Sequence, residues 1–233
     1  MTNLSSTDNQ VHSVSNFNEL IETPFQGTIN AICWKRNLEG DFAEIVQKFK
    51  CDENMFVVQP ETLQQLELTE QGNIAREIIL NDLKMLEEFG AAPTLNIIKN
   101  YERDDDYPFF PTDVYSFHVD RSEIPAETIL CTYYGASSEI VPNADARQKV
   151  HIPEIRDELK KLYQGEEGEG FENFLEEYFF DLHYQANPDA RILSLGLGNL
   201  WKLAIDHPES QVLPCIHRAP QENMGESRLL LIC

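Results

Sequence analysis

The stretch Val114-Tyr-Ser-Phe-His-Val-Asp120 constrains this chain more than any other. Tyr115, Phe117 and Val119 are apolar, and Ser116, His118 and Asp120 are polar. Alternation with a period of two predicts a β-strand with one apolar and one polar face. His118 and Asp120 stand two residues apart. On a helix they would point to opposite sides; on a strand they share a face, about 6.6 Å apart along the chain. An imidazole and a carboxylate so placed can converge on one metal ion.

Other segments fit a sheet-rich protein with flanking helices. Residues 28–34, 56–58, 94–101, 127–134, 139–141, 192–195, 199–203, 212–218 and 228–233 read as strands. Pro214 places the 212–218 segment at an edge or bulge. Asp41 can cap a helix carrying Phe42, Ile45, Val46 and Phe49, and Pro60 suits a first helical position. A helix over about 74–89 carries Ala75, Ile79, Leu83 and Leu86 on one stripe and stops at Gly90. Residues 153–163 and 171–184 read as two more helices, split by a glycine- and glutamate-rich turn. The acidic loop from Glu102 to Pro111 lacks the spacing of a calcium loop and reads as solvated. Gly196-x-Gly198 is followed by a strand with Trp201 in the third glycine's place, so it reads as a β-turn rather than a dinucleotide fingerprint.

The organisation expected is a disordered tail over 1–16, a mainly helical flank over 17–93 packing on a barrel, and a core over 94–233. That core carries a helical insertion at about 150–186. The net charge of −22, from 40 acidic and 18 basic residues, argues against a nucleic-acid partner, since phosphates are neutralised by Lys and Arg. No apolar run is long enough to span a membrane, and the Ser/Asn/Thr-rich start lacks a signal-peptide pattern. The five cysteines, Cys33, Cys51, Cys131, Cys215 and Cys233, are scattered and odd in number. Reduced thiols in a cytoplasmic protein are the expectation. The oligomeric state is open.

A lone His-x-Asp is weak evidence in a chain with six histidines. Two later residues strengthen it. His217 lies in an extended segment with Cys215 on its face. Arg228 opens a wholly apolar strand, where an arginine either points to solvent at the strand end or serves a buried anion, since burying it unpaired is costly. Two imidazoles and one carboxylate form the facial triad of non-haem Fe(II) oxygenases, with positions left open for other ligands. Arginine suits a carboxylate because its planar fork makes two parallel charge-assisted hydrogen bonds. Arg121 and Arg218 flank these residues but face away by alternation, and His12, His151 and His183 read as surface residues.

The order His118-x-Asp120, His217, Arg228 resembles the 2-oxoglutarate- and Fe(II)-dependent dioxygenases, whose core is a double-stranded β-helix, or jelly roll, of the cupin-like kind. The stretches FHVDRSEIPAETILCTYYG and LGNLWKL, IHRAP and SRLLLI are also similar to an uncharacterised bacterial family known only as a domain of unknown function. The resemblance covers residues 94–233. It implies that His118, Asp120 and His217 hold iron. Arg228 would clamp the distal carboxylate of 2-oxoglutarate, helped by Tyr101 or a hydroxyl of Thr132 or Tyr134. The implied reaction converts 2-oxoglutarate to succinate and carbon dioxide while a small molecule or protein side chain is hydroxylated. Leu230 stands where some members carry a serine two residues after the arginine. The resemblance leaves two alternatives: another metal-dependent cupin enzyme in which Arg228 binds the substrate's own carboxylate, and a non-catalytic barrel that binds a small molecule or partner.

The architecture implied has a polar interior near the metal and an apolar outer face. Tyr115, Phe117 and Val119 then need a cover, which the helices of 41–89 and 153–184 are expected to supply.

Overall fold

A computed structural model describes residues 10–49, 53–221 and 225–233. Among them the chain is mixed α+β, with two sheets and flanking helices. The strands are β1 (Val11–Val14), β2 (Ala31–Trp34), β3 (Met55–Val58), β4 (Thr94–Ile98), β5 (Phe117–His118), β6 (Glu127–Tyr134), β7 (Glu139–Ile140), β8 (Ala146–Gln148), β9 (His183–Ala186), β10 (Leu193–Ser194), β11 (Leu200–Ala204), β12 (His217–Arg218) and β13 (Arg228–Ile232). The helices are α1 (Phe17–Glu22), α2 (Phe42–Lys48), α3 (Pro60–Gln64), α4 (Glu70–Phe89), α5 (Pro153–Tyr163) and α6 (Glu169–Glu177). The larger sheet runs β1-β2-β11-β6-β13-β4-β3 and the smaller runs β10-β7-β12-β5-β9-β8.

The helix signals work as their chemistry predicts. The Asp41 carboxylate accepts from the Glu44 amide, and the Thr69 hydroxyl accepts from the Gly72 amide. Pro60 and Pro153 open α3 and α5. Gly90, at φ 100°, closes α4 in the left-handed conformation.

Both faces of the larger sheet are buried. One face carries Ile32, Leu95, Ile97, Ile129, Cys131, Leu200, Leu229 and Leu231, packed on Ile45 of α2 and on Ala75, Ile79 and Leu86 of α4. The other carries Ala31, Cys33, Ile98, Leu130, Trp201, Leu203 and Leu230, packed on Ile140 of the smaller sheet and on Cys215, just ahead of β12. A buried polar pin fastens α4 to this sheet. Asp82 accepts from Arg36 at 2.7 Å and from the Tyr133 hydroxyl at 2.6 Å. Burial pushes the thiols of Cys33 and Cys131 up to about 12, so both pack as small apolar groups. Cys33, Cys131, Cys215 and Cys233 are free thiols, and Cys51 lies outside the described residues.

Four expectations are corrected. Residues 11–14 are not a disordered tail: β1 pairs in parallel with β2, and residues 1–9 lie outside the described residues. The first ninety residues are more than a helical flank, because β1, β2 and β3 form the two edges of the larger sheet. The helix expected over 171–184 ends at Glu177; Phe179 takes a left-handed conformation, a single 3-10 turn follows, and β9 begins at His183. The aromatic richness of this segment imitates a helical stripe, while Leu182-His183-Tyr184 already alternates. Finally, α2 and α4 do not cover Phe117 and Val119. These two pack with Val141, Leu182 and Ile216 on the outer face of the smaller sheet, while α5 and α6 build a separate cluster around Phe110 and Phe180.

Candidate metal centre

The expected seven-residue strand pairs as a ladder only at Phe117–His118, yet its alternation survives. Tyr115, Phe117 and Val119 are buried while Ser116, His118 and Asp120 are half-buried. Beyond the ladder the chain stays bonded beside β9 and gains a second partner. The Val119 amide donates to the Leu182 carbonyl, and the Asp120 carbonyl accepts from the Asp206 amide at 2.8 Å. These bonds hold the backbone on either side of the Asp120 side chain.

His118 and His217 are directly opposed partners of the antiparallel pair β5–β12. Directly opposed residues project from the same face, so the register alone brings two histidines nearly 100 positions apart side by side. Their ring centroids lie 4.6 Å apart. The Asp120 carboxylate reaches both: its Oδ1 lies 3.9 Å from His118 Nε2 and its Oδ2 lies 3.5 Å from His217 Nε2. One ligand atom from each of the three residues falls within 4.8 Å of the others.

Hydrogen bonding fixes the state of each ligand. His118 Nδ1 lies 2.7 Å from the Ser116 carbonyl, and His217 Nδ1 lies 3.1 Å from the Cys215 carbonyl. A carbonyl only accepts, so each Nδ1 carries a proton and each Nε2 is the nitrogen turned to the centre. The Thr128 hydroxyl donates to Asp120 Oδ2 at 2.5 Å. Burial, then the neighbouring His217, pushes the His118 pKa down to about 4, which keeps that imidazole neutral. Burial opposes ionisation of Asp120, but His217, the Thr128 hydroxyl and His118 together outweigh it and hold the carboxyl below its usual range. A neutral His118 and an ionised Asp120 are the states in which these two groups can meet a divalent cation.

The triad opens into a cavity of about 350 Å³ between the sheets, walled by Ile98, Leu130 and Leu230 and also lined by Tyr101 and Ser138. Arg228 is 1% exposed. Its Nη2 donates to Ser138 Oγ at 3.0 Å and reaches Thr132 Oγ1 at 3.5 Å. Arg228 therefore stands behind the cavity wall, next to a lining residue. Gly135, at φ 83°, makes room for it: a Cβ there would come within 3.0 Å of the Arg228 Cα and 2.7 Å of the Ser227 carbonyl.

Tyr101 lines the cavity, and Thr132 contacts Arg228. Tyr134 is elsewhere. The register between β13 and β6 shifts between Leu229 and Leu230, so Tyr134 opposes Leu229 and packs on the helix-covered face with Tyr133. A bulge of this kind turns two successive side chains to one side, and it carries Tyr134 away from the place beside Arg228 that the resemblance implied.

Arg218 faces away as alternation predicts, paired with Glu139 over the Phe117 ring, whereas Arg121 pairs with Asp181 and Asp206 at the edge of a second cavity beside the triad. His12 and His151 are exposed. His183 is not a surface residue. It is 3% exposed and sits opposite His118 in the β5–β9 pair, with ring centroids 5.7 Å apart. Ser138 and Thr128 were also missed, since a hydroxyl on a strand carries no signal until its neighbours are placed.

Compared with known proteins, the chain matches no family model, no curated protein and no solved structure. No helix among the described residues is long and apolar enough to cross a membrane.

Proposed function

We propose that this protein is an Fe(II)- and 2-oxoglutarate-dependent oxygenase built on a double-stranded β-helix. The observation that carries the reading is the register match of His118 with His217, with Asp120 in reach of both. The donor set fits a ferrous ion: two imidazole nitrogens and one carboxylate oxygen leave coordination positions for exchangeable ligands. His118, Asp120 and His217 would hold the ion. When bound, iron supplies the activation of dioxygen that is coupled to oxidative decarboxylation of 2-oxoglutarate.

The remaining work falls to the chain's own residues. The carbonyls of Ser116 and Cys215 orient the two imidazoles, and Thr128 orients the carboxylate. Ile98, Leu130 and Leu230 exclude water from one approach to the centre. Ser138 and Arg228 give the same cavity a polar, cationic end suited to a carboxylate. Ser138 places a hydroxyl beside Arg228 from a different part of the chain, where Leu230 occupies the serine position of some oxygenases. Tyr101 lines the path between.

The test is succinate formation by anaerobically iron-loaded protein with 2-oxoglutarate and then oxygen. Uncoupled turnover, detectable without the primary substrate, is the expected result. Tight metal binding with no decarboxylation removes the co-substrate from the scheme. A second reading has one observation in its favour: Arg228 lies behind Ser138 rather than in the lining itself. In that reading the same triad serves another metal-dependent reaction, and 2-oxoglutarate neither binds nor turns over.

A further inference from the structure

The triad has a second approach. His118 and Asp120 also line a separate cavity of about 300 Å³, bounded by Thr112, Asp113, Arg121, Phe179 and His183. Its chemistry differs from that of the first. His183 is 97% buried, and among the described residues its Nδ1 makes no hydrogen bond. A buried imidazole nitrogen left in this way costs free energy unless a ligand or water meets it. Phe179 is 59% exposed at φ 60°, an unusual combination for a bulky aromatic, and it presents its ring beside the cavity.

The surroundings are strongly acidic. Asp113 is in the lining, and Asp104 is bonded to the lining residue Thr112 at 2.5 Å. The one guanidinium in the lining, Arg121, is over-matched by Asp181, Asp206 and Glu176. Lys149 is nearby and donates to Ser116 at 2.7 Å. Leaving aside Asp120, which faces the metal position, five carboxylates against two cations leave a negative field, which the charge of −22 reinforces.

Resting on the oxygenase reading, we propose that the primary substrate enters through this second cavity with a cationic nitrogen group, an ammonium or guanidinium, at its buried end. Asp113 supplies the counter-charge, His183 a hydrogen bond, and the Phe179 ring a face for the cation and its methylene stem. A basic amino-acid side chain, free or within a peptide, has this chemistry.

The test uses cobalt-loaded full-length protein at pH 7. The cobalt absorption spectrum first reports whether the triad holds metal. Calorimetric titration then compares Nα-acetyl-arginine N-methylamide with its neutral citrulline counterpart, and a heptapeptide with a central arginine. The arginine compound is expected to bind at least about tenfold more tightly than the citrulline one. That preference should fall about tenfold in Asp113→Asn and several-fold in Phe179→Gly, with the cobalt spectrum unchanged. Tighter binding of the peptide than of the single residue assigns the substrate to proteins; equal binding assigns it to small molecules. A normal cobalt spectrum with no preference for the cation overturns the proposal and leaves the metal reading standing. A protein that holds no cobalt overturns both.

Discussion

At the scale of single residues, the centre is a set of groups whose protonation is decided by what surrounds them. Asp120 is one of three candidate ligands among the described residues. Asp120→Ala is therefore expected to lower metal affinity by ~100-fold or more while the circular dichroism spectrum stays native; unchanged metal content after dialysis would remove Asp120 from the site. Thr128 acts on the site only through its hydrogen bond to the Asp120 carboxylate. Thr128→Val should cost about tenfold in affinity, the range typical of groups that orient a ligand. The burial of His118 and His183 also has a thermodynamic consequence. Burial pushes their pKa values down to about 4 and about 3, from the ordinary 6.5. Between those limits the unfolded chain binds more protons than the folded one, so stability rises with pH. Metal-free protein is expected to be fully stable above about pH 6.5 and to weaken progressively on acidification toward pH 4. Urea midpoints measured from pH 4 to 8 check the direction, and a flat profile would contradict it.

At the scale of elements, alternation was the most reliable signal and its local failures are informative. The register of β5 against β12 follows from which faces are apolar: Phe117 and Ile216 join the outer cluster, which turns His118 and His217 inward together. The alternation breaks at Tyr134 through a bulge, and His183 is misread because an aromatic helix gives way, through a left-handed Phe179 and a 3-10 turn, to a strand. The pin between α4 and the larger sheet belongs to this scale. Tyr133→Phe deletes one of the donors to the buried Asp82 carboxylate and is expected to cost about 1–3 kcal/mol by urea denaturation. No loss of stability would mean that Arg36 alone satisfies Asp82.

At the scale of the whole molecule, the site lies in one sheet but is completed by the other. The smaller sheet carries His118, His183 and His217, and the larger supplies Ile98, Leu130, Leu230 and the buried Arg228. A metal bridging β5 and β12 binds only the folded chain. Saturation at ~100 times the dissociation constant should therefore add about 2.7 kcal/mol. For a chain of this length that corresponds to a rise of roughly 5–10 °C in melting temperature. Asp120→Ala should show no such rise; an equal rise would place the stabilising ion elsewhere. What the sequence by itself determined was the set of local preferences: which segments extend, where helices begin and stop, and that His118 and Asp120 share a face. Those follow from side-chain periodicity and capping, which act within a few residues. Tertiary structure alone decided that His217 stands opposite His118, that β1 to β3 complete the larger sheet, that Tyr134 turns away and that His183 turns in. Each of these depends on pairing between segments far apart in the chain, and the free energy that selects a pairing is the burial of both faces at once, which no single segment encodes.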